Sequence, residues 1–136
     1  MLPQVQRIGC YALLTRDRQV LLCRLSHLAN HPGFWTLPGG GMEFGEHPEE
    51  TMRREVWEET GFEVKNPKLL AIYTAVHELP EVTMQNLEMI YSAEICGGEL
   101  CHEAEGTTDL CAWLPIEQAR TEKLVGLVER ALSLVM

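Results

Sequence analysis

The stretch GGMEFGEHPEETMRREVWEETGF, residues 40–62, runs from a glycine turn through an acidic segment to another glycine. Its middle reads as a helix over about residues 48–60. Pro48 suits a first helical turn, Glu49 and Glu50 complement the positive end of the helix dipole, and Gly61 can close the helix in a left-handed conformation. The apolar stripe is thin, Met52, Val56 and Trp57 only, so packing alone does not explain this helix. With 3.6 residues per turn, Glu58 and Glu59 lie within about 60° of Glu55 on either side, one turn further on. Three carboxylates thus share one wedge. Such neighbours repel, and Arg54, at i−4 from Glu58, offsets only part of their charge. A solvated acidic face is the ordinary meaning of such a run. A bound divalent cation is the sharper one, and ligands that are all oxygen favour Mg²⁺ or Mn²⁺ over Zn²⁺.

Outward from this helix, the preceding Gly39-Gly40-Gly41 suits a tight or ligand-approaching backbone. Trp35-Thr36-Leu37 before it reads as a short strand within residues 34–37, stopped by Pro38. Residues 5–15 and 19–25 are apolar runs separated by Arg16-Asp17-Arg18 and read as a hairpin. Residues 69–77, 87–96 and 110–114 are further strands, and residues 122–135 carry apolar side chains at helical spacing from Leu124 to Val135. No repeat, linker or low-complexity tract interrupts the 136 residues. The order β-β-β-α-β-β-β-α predicts a single α/β domain over residues 1–136, with helices against a mixed sheet.

The chain has 11 Lys plus Arg against 20 Asp plus Glu, a formal net charge of −9. Eight of those acids fall in residues 43–63. An acidic surface repels a phosphate backbone, so a nucleic-acid polymer is not expected as a partner; an anionic small molecule remains possible once a metal reverses the local field. No apolar run approaches the roughly 18 residues of a membrane span, and the N-terminal MLPQVQRIG has no signal-peptide pattern, so no membrane role and a cytoplasmic location are expected. Cys10, Cys23, Cys96, Cys101 and Cys111 form no close pair of the kind zinc sites use and read as free thiols in a reducing compartment. His27, His31, His47, His77 and His102 show no metal-ligand spacing.

Residues 40–62 fit the pattern G-x5-E-x7-R-E-U-x-E-E-x-G-U, where U is apolar. Gly40, Glu46, Arg54, Glu55, Val56, Glu58, Glu59, Gly61 and Phe62 fill every specified place. At average residue frequencies a chance match is below about one in a million for a chain of this length. This is the Nudix box, and the chain resembles a Nudix hydrolase. The resemblance implies an α/β/α sandwich with the box as loop-helix-loop. It also implies hydrolysis, with Mg²⁺ or Mn²⁺, of a nucleoside diphosphate linked to another group. Glu55, Glu58 and Glu59 would then face the cation, with a backbone carbonyl of Gly39 or Gly40. Glu55, Glu58 and Arg54 are the expected catalytic residues, Glu55 as first choice of base. Arg54 and Glu46 would chiefly brace the loop. In some members a glutamate outside the box serves instead, and Glu105, as base or as a further metal ligand, is well placed in sequence, with Glu103 its competitor; either can equally be a plain loop acid.

Outside the box, Arg24 could reach a phosphate, and Trp35 and Tyr11 could stack a base, although a surface arginine and core aromatics are the plainer readings. Markers of particular Nudix subfamilies are mostly missing: around Val76-His77-Glu78-Leu79 there is neither the proline nor the tyrosine that some carry, and Pro80 falls late. The compact chain resembles the small nucleoside-triphosphate pyrophosphohydrolases. A (d)NTP or oxidised (d)NTP, cleaved to monophosphate and pyrophosphate, is the leading expectation; ADP-ribose or another nucleotide sugar is second. A non-catalytic nucleotide sensor would be expected to have lost box carboxylates. A diphosphate isomerase would need an added cysteine and glutamate in a longer chain. Many small members dimerise, so a homodimer is open, but no residue here locates an interface.

Overall fold

Cys10, Ala12 and Leu14 alternate with Tyr11 and Leu13, Leu21 and Cys23 alternate with Val20 and Leu22, and all of them are buried. Strands buried on both faces must lie between two layers. The structure is a computed structural model describing residues 1–102 and 105–135, and it shows this layering.

Among the described residues, eight strands run in the order β1 (Gln4–Leu13), β2 (Thr15–Arg16), β3 (Gln19–Leu25), β4 (Trp35–Thr36), β5 (Gly39–Gly41), β6 (Phe62–Glu78), β7 (Thr83–Gly98) and β8 (Thr108–Pro115). Helix α1 (Pro48–Thr60) lies between β5 and β6; α2 (Ile116–Ala119) and α3 (Gly126–Leu132) follow β8. One mixed sheet has the order β5-β1-β7-β6, with β1 and β7 parallel. The other joins β2, β3 and β4, with β8 against β3. Met52 and Val56 of α1 pack on Cys10, Ala12, Leu21, Cys23 and Tyr91 from one side. Leu127, Val128, Ala131 and Leu132 of α3 pack on Tyr11, Leu13, Val20, Leu22 and Ile90 from the other. This is the expected α/β/α arrangement, and the box is a loop-helix-loop with its helix at residues 48–60.

Four expectations need correcting. The hairpin of the first two apolar runs is real only over Thr15↔Val20 and Arg16↔Gln19, turned by Asp17 and Arg18 at φ 46° and 62°. Beyond that, β1 leaves for the other sheet and lies between β5 and β7. Second, β6 starts at Phe62, not near residue 69. The polar EVKNPK stretch looks like a loop, but an edge strand tolerates proline, and the register slips between Lys65 and Lys68 absorb it. Third, the C-terminal helix is shorter than its apolar spacing suggests. Leu124 bridges Trp35, Val125 is extended, and α3 begins at Gly126. Fourth, α2 was not foreseen; four residues are too few to carry a periodic signal. Among the described residues, no helix is long and apolar enough to cross a membrane.

Candidate active site

Helix α1 is set by its ends more than by its apolar face. The His47 Nδ1 accepts a hydrogen bond from the Glu49 amide at 3.1 Å, Pro48 stands in the first turn, and Gly61 at φ 80° donates its amide to Trp57 O. Trp57, read from sequence as part of the packing stripe, is exposed; Thr51, Glu59 and Thr60 complete the buried face instead. The Thr60 hydroxyl donates to Val56 O at 2.7 Å and accepts from the Phe62 amide, so this polar group is buried with its bonds made.

Arg54 is the hub of the loop-helix-loop. Its Nε and Nη2 bind Glu46 Oε2 and Oε1 at 2.8 and 3.0 Å, a bidentate pair. Its Nη1 reaches Glu55 Oε1 at 3.0 Å and Glu58 Oε2 at 3.3 Å, and Nη2 donates to Gly41 O at 3.3 Å. Glu46 Oε1 also accepts from the Glu43 amide and the Thr51 hydroxyl, both at 2.9 Å. The hydrogen bond from Arg54, followed by that from the Glu43 amide, holds the Glu46 carboxyl down to about 2. The same bond to Glu46 drives the Arg54 guanidinium further above its ordinary range. Glu46 and Arg54 thus tie the loop before α1 to the helix.

The three wedge carboxylates differ in depth. The Glu58 side chain is 45% exposed and that of Glu55 18%, and Glu59 is buried. Glu59 lies beside the buried pair Cys23 and Cys111, whose sulfurs are 2.7 Å apart on facing positions of β3 and β8. Burial first, then Cys111 and Glu59, push the Cys23 thiol well up. All five cysteines are free.

The glycine strand meets the helix at Gly40. A Cβ there would fall 2.6 Å from the Glu55 carboxyl carbon, so only glycine lets that carboxylate lie against the β5 backbone. At Gly39, φ is 150°, and a Cβ would fall 2.3 Å from Cys10 O. The structure thus brings together Gly40, Arg54, Glu55 and Glu58. Among the described residues no three His, Cys, Asp or Glu side chains are gathered as a ready-made cage. The donors in reach are carboxylate and carbonyl oxygens, the chemistry of a hard divalent cation, and the missing Cβ of Gly40 lets the Glu55 carboxylate approach the β5 backbone.

Of the other candidate residues, Tyr11 is the register partner of Gly39, Arg24 and Trp35 stand on β3 and β4, and Glu105 stands in the loop before β8. Glu105 is exposed in the loop before β8, where Gly106 O accepts from the Ser26 hydroxyl; Glu103 lies outside the described residues. Arg24 pairs with Asp109 at 2.8 Å. Trp35 is half-buried against the α3-side core, its backbone bonded to Lys123 and Val125. The Tyr11 ring belongs to that core, so it offers its hydroxyl rather than a stacking face, and that hydroxyl accepts from Arg7 Nη1 at 3.2 Å. Arg7 is not singled out by the sequence; it stands on the same face of β1 as Gly9 and Tyr11.

A family model described as the NUDIX domain matches residues 3–132, and the chain belongs to the NUDIX family. Members of the family generally use divalent metal ions. The chain is 34% identical over 105 residues to an NAD-capped RNA hydrolase, NudC, of Chromobacterium violaceum, covering 77% of this chain and 36% of that one. It is 45% identical over 60 residues to the nucleoside triphosphatase NudI of Salmonella schwarzengrund, covering 43% and 36%. It is 33% identical over 90 residues to an ADP-ribose pyrophosphatase of Methanocaldococcus jannaschii, covering 65% and 50%. The chain thus matches half or less of the length of each of these relatives. Among solved structures, a MutT NUDIX hydrolase from Burkholderia pseudomallei superposes with a TM-score of 0.83 at 25% identity, covering 96% of this chain and 98% of that one.

Proposed function

We infer that this chain hydrolyses a diphosphate linkage in a nucleoside diphosphate derivative, with Mg²⁺ or Mn²⁺ at the junction of β5 and α1. The observation that carries this reading is the Glu55 carboxylate lying against Gly40, with Arg54 bonded to both Glu55 and Glu58. Glu55, Glu58 and Glu59, with the carbonyl of Gly39 or Gly40, would hold the cation. When bound, the cation screens phosphate charge and acidifies a water. Arg54 fixes the spacing of Glu55 and Glu58, and Glu46 fixes Arg54. Glu55, anchored through Oε1, keeps Oε2 to take a proton from an attacking water, which is the work of a general base.

The reaction expected first is (d)NTP or oxidised (d)NTP plus water giving the monophosphate and pyrophosphate; the relative named as a nucleoside triphosphatase supports it. The relative named as an ADP-ribose pyrophosphatase supports ADP-ribose or a nucleotide sugar as the second substrate class. A non-catalytic sensor is disfavoured because every box carboxylate is present.

The test is a chromatographic screen for release of nucleotide products, with inorganic pyrophosphate read alongside, over (d)NTPs, oxidised dNTPs, ADP-ribose, nucleotide sugars, dinucleoside polyphosphates and NAD-capped RNA. It is run with Mg²⁺, with Mn²⁺ and with EDTA. EDTA-sensitive release from one class is expected, and pyrophosphate as product marks a triphosphate. Silence across the panel, with nucleotide binding still measurable, would overturn hydrolysis in favour of the sensor.

A further inference from the structure

Strand β5 is the edge of its sheet and has a charged side chain against each face. Gly40 faces the Glu55 carboxylate on the α1 side. Gly41 faces the other way, and a Cβ there would fall 3.3 Å from the Arg7 guanidinium. Gly9, the register partner of Gly41, is tighter still. A Cβ at Gly9 would fall 3.0 Å from Arg7 Nη1 and 2.8 Å from the Tyr11 hydroxyl. Two facing glycines thus form a slot into which the Arg7 head folds, one strand away from the box carboxylates.

This cation has spare capacity. A guanidinium carries five N–H donors, and the Tyr11 hydroxyl takes one at 3.2 Å. Among the described residues no carboxylate is in ion-pair contact with Arg7. Glu88, which follows Gly9 across the β1–β7 register, is committed to Arg130. Burial acts against the Arg7 charge, yet the Tyr11 phenol with the Glu55 and Glu88 carboxylates raises its pKa overall. A half-buried, permanently charged fork beside a phosphate-cleaving site lacks a counter-ion of its own.

We propose that Arg7 is a substrate-binding residue that takes phosphate oxygens of the nucleotide across the β5 edge from the Glu55 carboxylate. This rests on the hydrolase reading above. The diphosphate would lie along the edge strand, with the cation and the α1 carboxylates on one side and the guanidinium on the other. Gly9 and Gly41 then leave the arginine its space, and Tyr11 orients it.

The test uses the intact chain and the substrate found by the release screen. Arg7→Ala is expected to lower kcat/KM by about 10- to 100-fold, chiefly through KM, with the melting temperature unchanged. Arg7→Lys keeps the charge but not the fork and should recover only part of the loss. Added guanidinium ion should restore activity to Arg7→Ala and leave wild type and Glu55→Gln unaffected. Calorimetric binding of inorganic pyrophosphate supplies a readout independent of turnover, with weaker binding expected in Arg7→Ala. Turnover and pyrophosphate binding in Arg7→Ala equal to wild type would overturn the proposal. So would a loss accompanied by a lowered melting temperature and no guanidinium rescue. A wild type silent across the whole screen would instead defeat the hydrolase reading, and the pyrophosphate titration would still decide Arg7.

Discussion

Helices α1 and α3 cover opposite faces of the same strands and do so by different means. Helix α3 is an ordinary cover: Leu127, Val128, Ala131 and Leu132 are buried together against β1, β3 and β7. Helix α1 has only Met52 and Val56 as buried aliphatic anchors and fills the rest of its inner face with Thr51, Glu59 and Thr60. A helix this poor in apolar contact keeps its place through capping and the Arg54 network, and the carboxylates that replace packing are the ones proposed to serve chemistry. The two faces should therefore fail differently when cut.

The largest effect expected is on turnover. Glu55→Gln should lower kcat by about 10²- to 10⁴-fold, the usual contribution of a general base, with a thermal melt close to wild type. Unchanged kcat would remove Glu55 from the reaction. On the opposite face, Leu132→Ala should cost about 2–5 kcal/mol in urea denaturation, because a fully buried side chain is deleted, while turnover per folded molecule stays the same. If Leu132→Ala instead lowered kcat with stability intact, the division of labour between the helices would be wrong.

A subtler difference shows in acid. The Glu46 carboxyl titrates near 2 in the folded chain against an ordinary 4.5, so between those values the unfolded chain binds the extra proton. That contribution to stability is present above about pH 4.5 and is lost as pH falls towards 2. Melting temperature followed across that window should fall for wild type, and Glu46→Gln should lack this part of the fall. The smallest effect belongs to Trp57→Ala. Trp57 is 53% exposed, and its removal should change stability by no more than about 0.5 kcal/mol.

How much of this was legible in the sequence follows the same division. Helix α1 was placed at its true ends because proline, glycine and carboxylates mark termini and chemistry directly. Trp57 was misassigned because helical spacing names a face without saying which neighbours cover it. Strand β6 was cut short because Lys65, Asn66, Pro67 and Lys68 look like a loop until the slipping register of an edge strand is known. Residues 124 and 125 were given to the last helix because their apolar spacing continues into it, although Leu124 pairs with Trp35. The bracing pair of Arg54 and Glu46 could be named from the box. The nearness of Arg7 to Gly41 could not, since it depends on β5 pairing with β1 and on the absence of two Cβ atoms. For Tyr11 the plainer of its two readings, a core aromatic, agrees with the ring's burial among the α3-side residues.

The most direct test of a cation site at the α1–β5 junction is a Mn²⁺ titration followed by electron paramagnetic resonance, comparing wild type, Glu55→Gln and Leu132→Ala. Wild type and Leu132→Ala should deplete the free-ion signal alike, and Glu55→Gln should bind about tenfold or more weakly. Equal Mn²⁺ binding in wild type and Glu55→Gln would contradict the assignment of the box carboxylates to the metal.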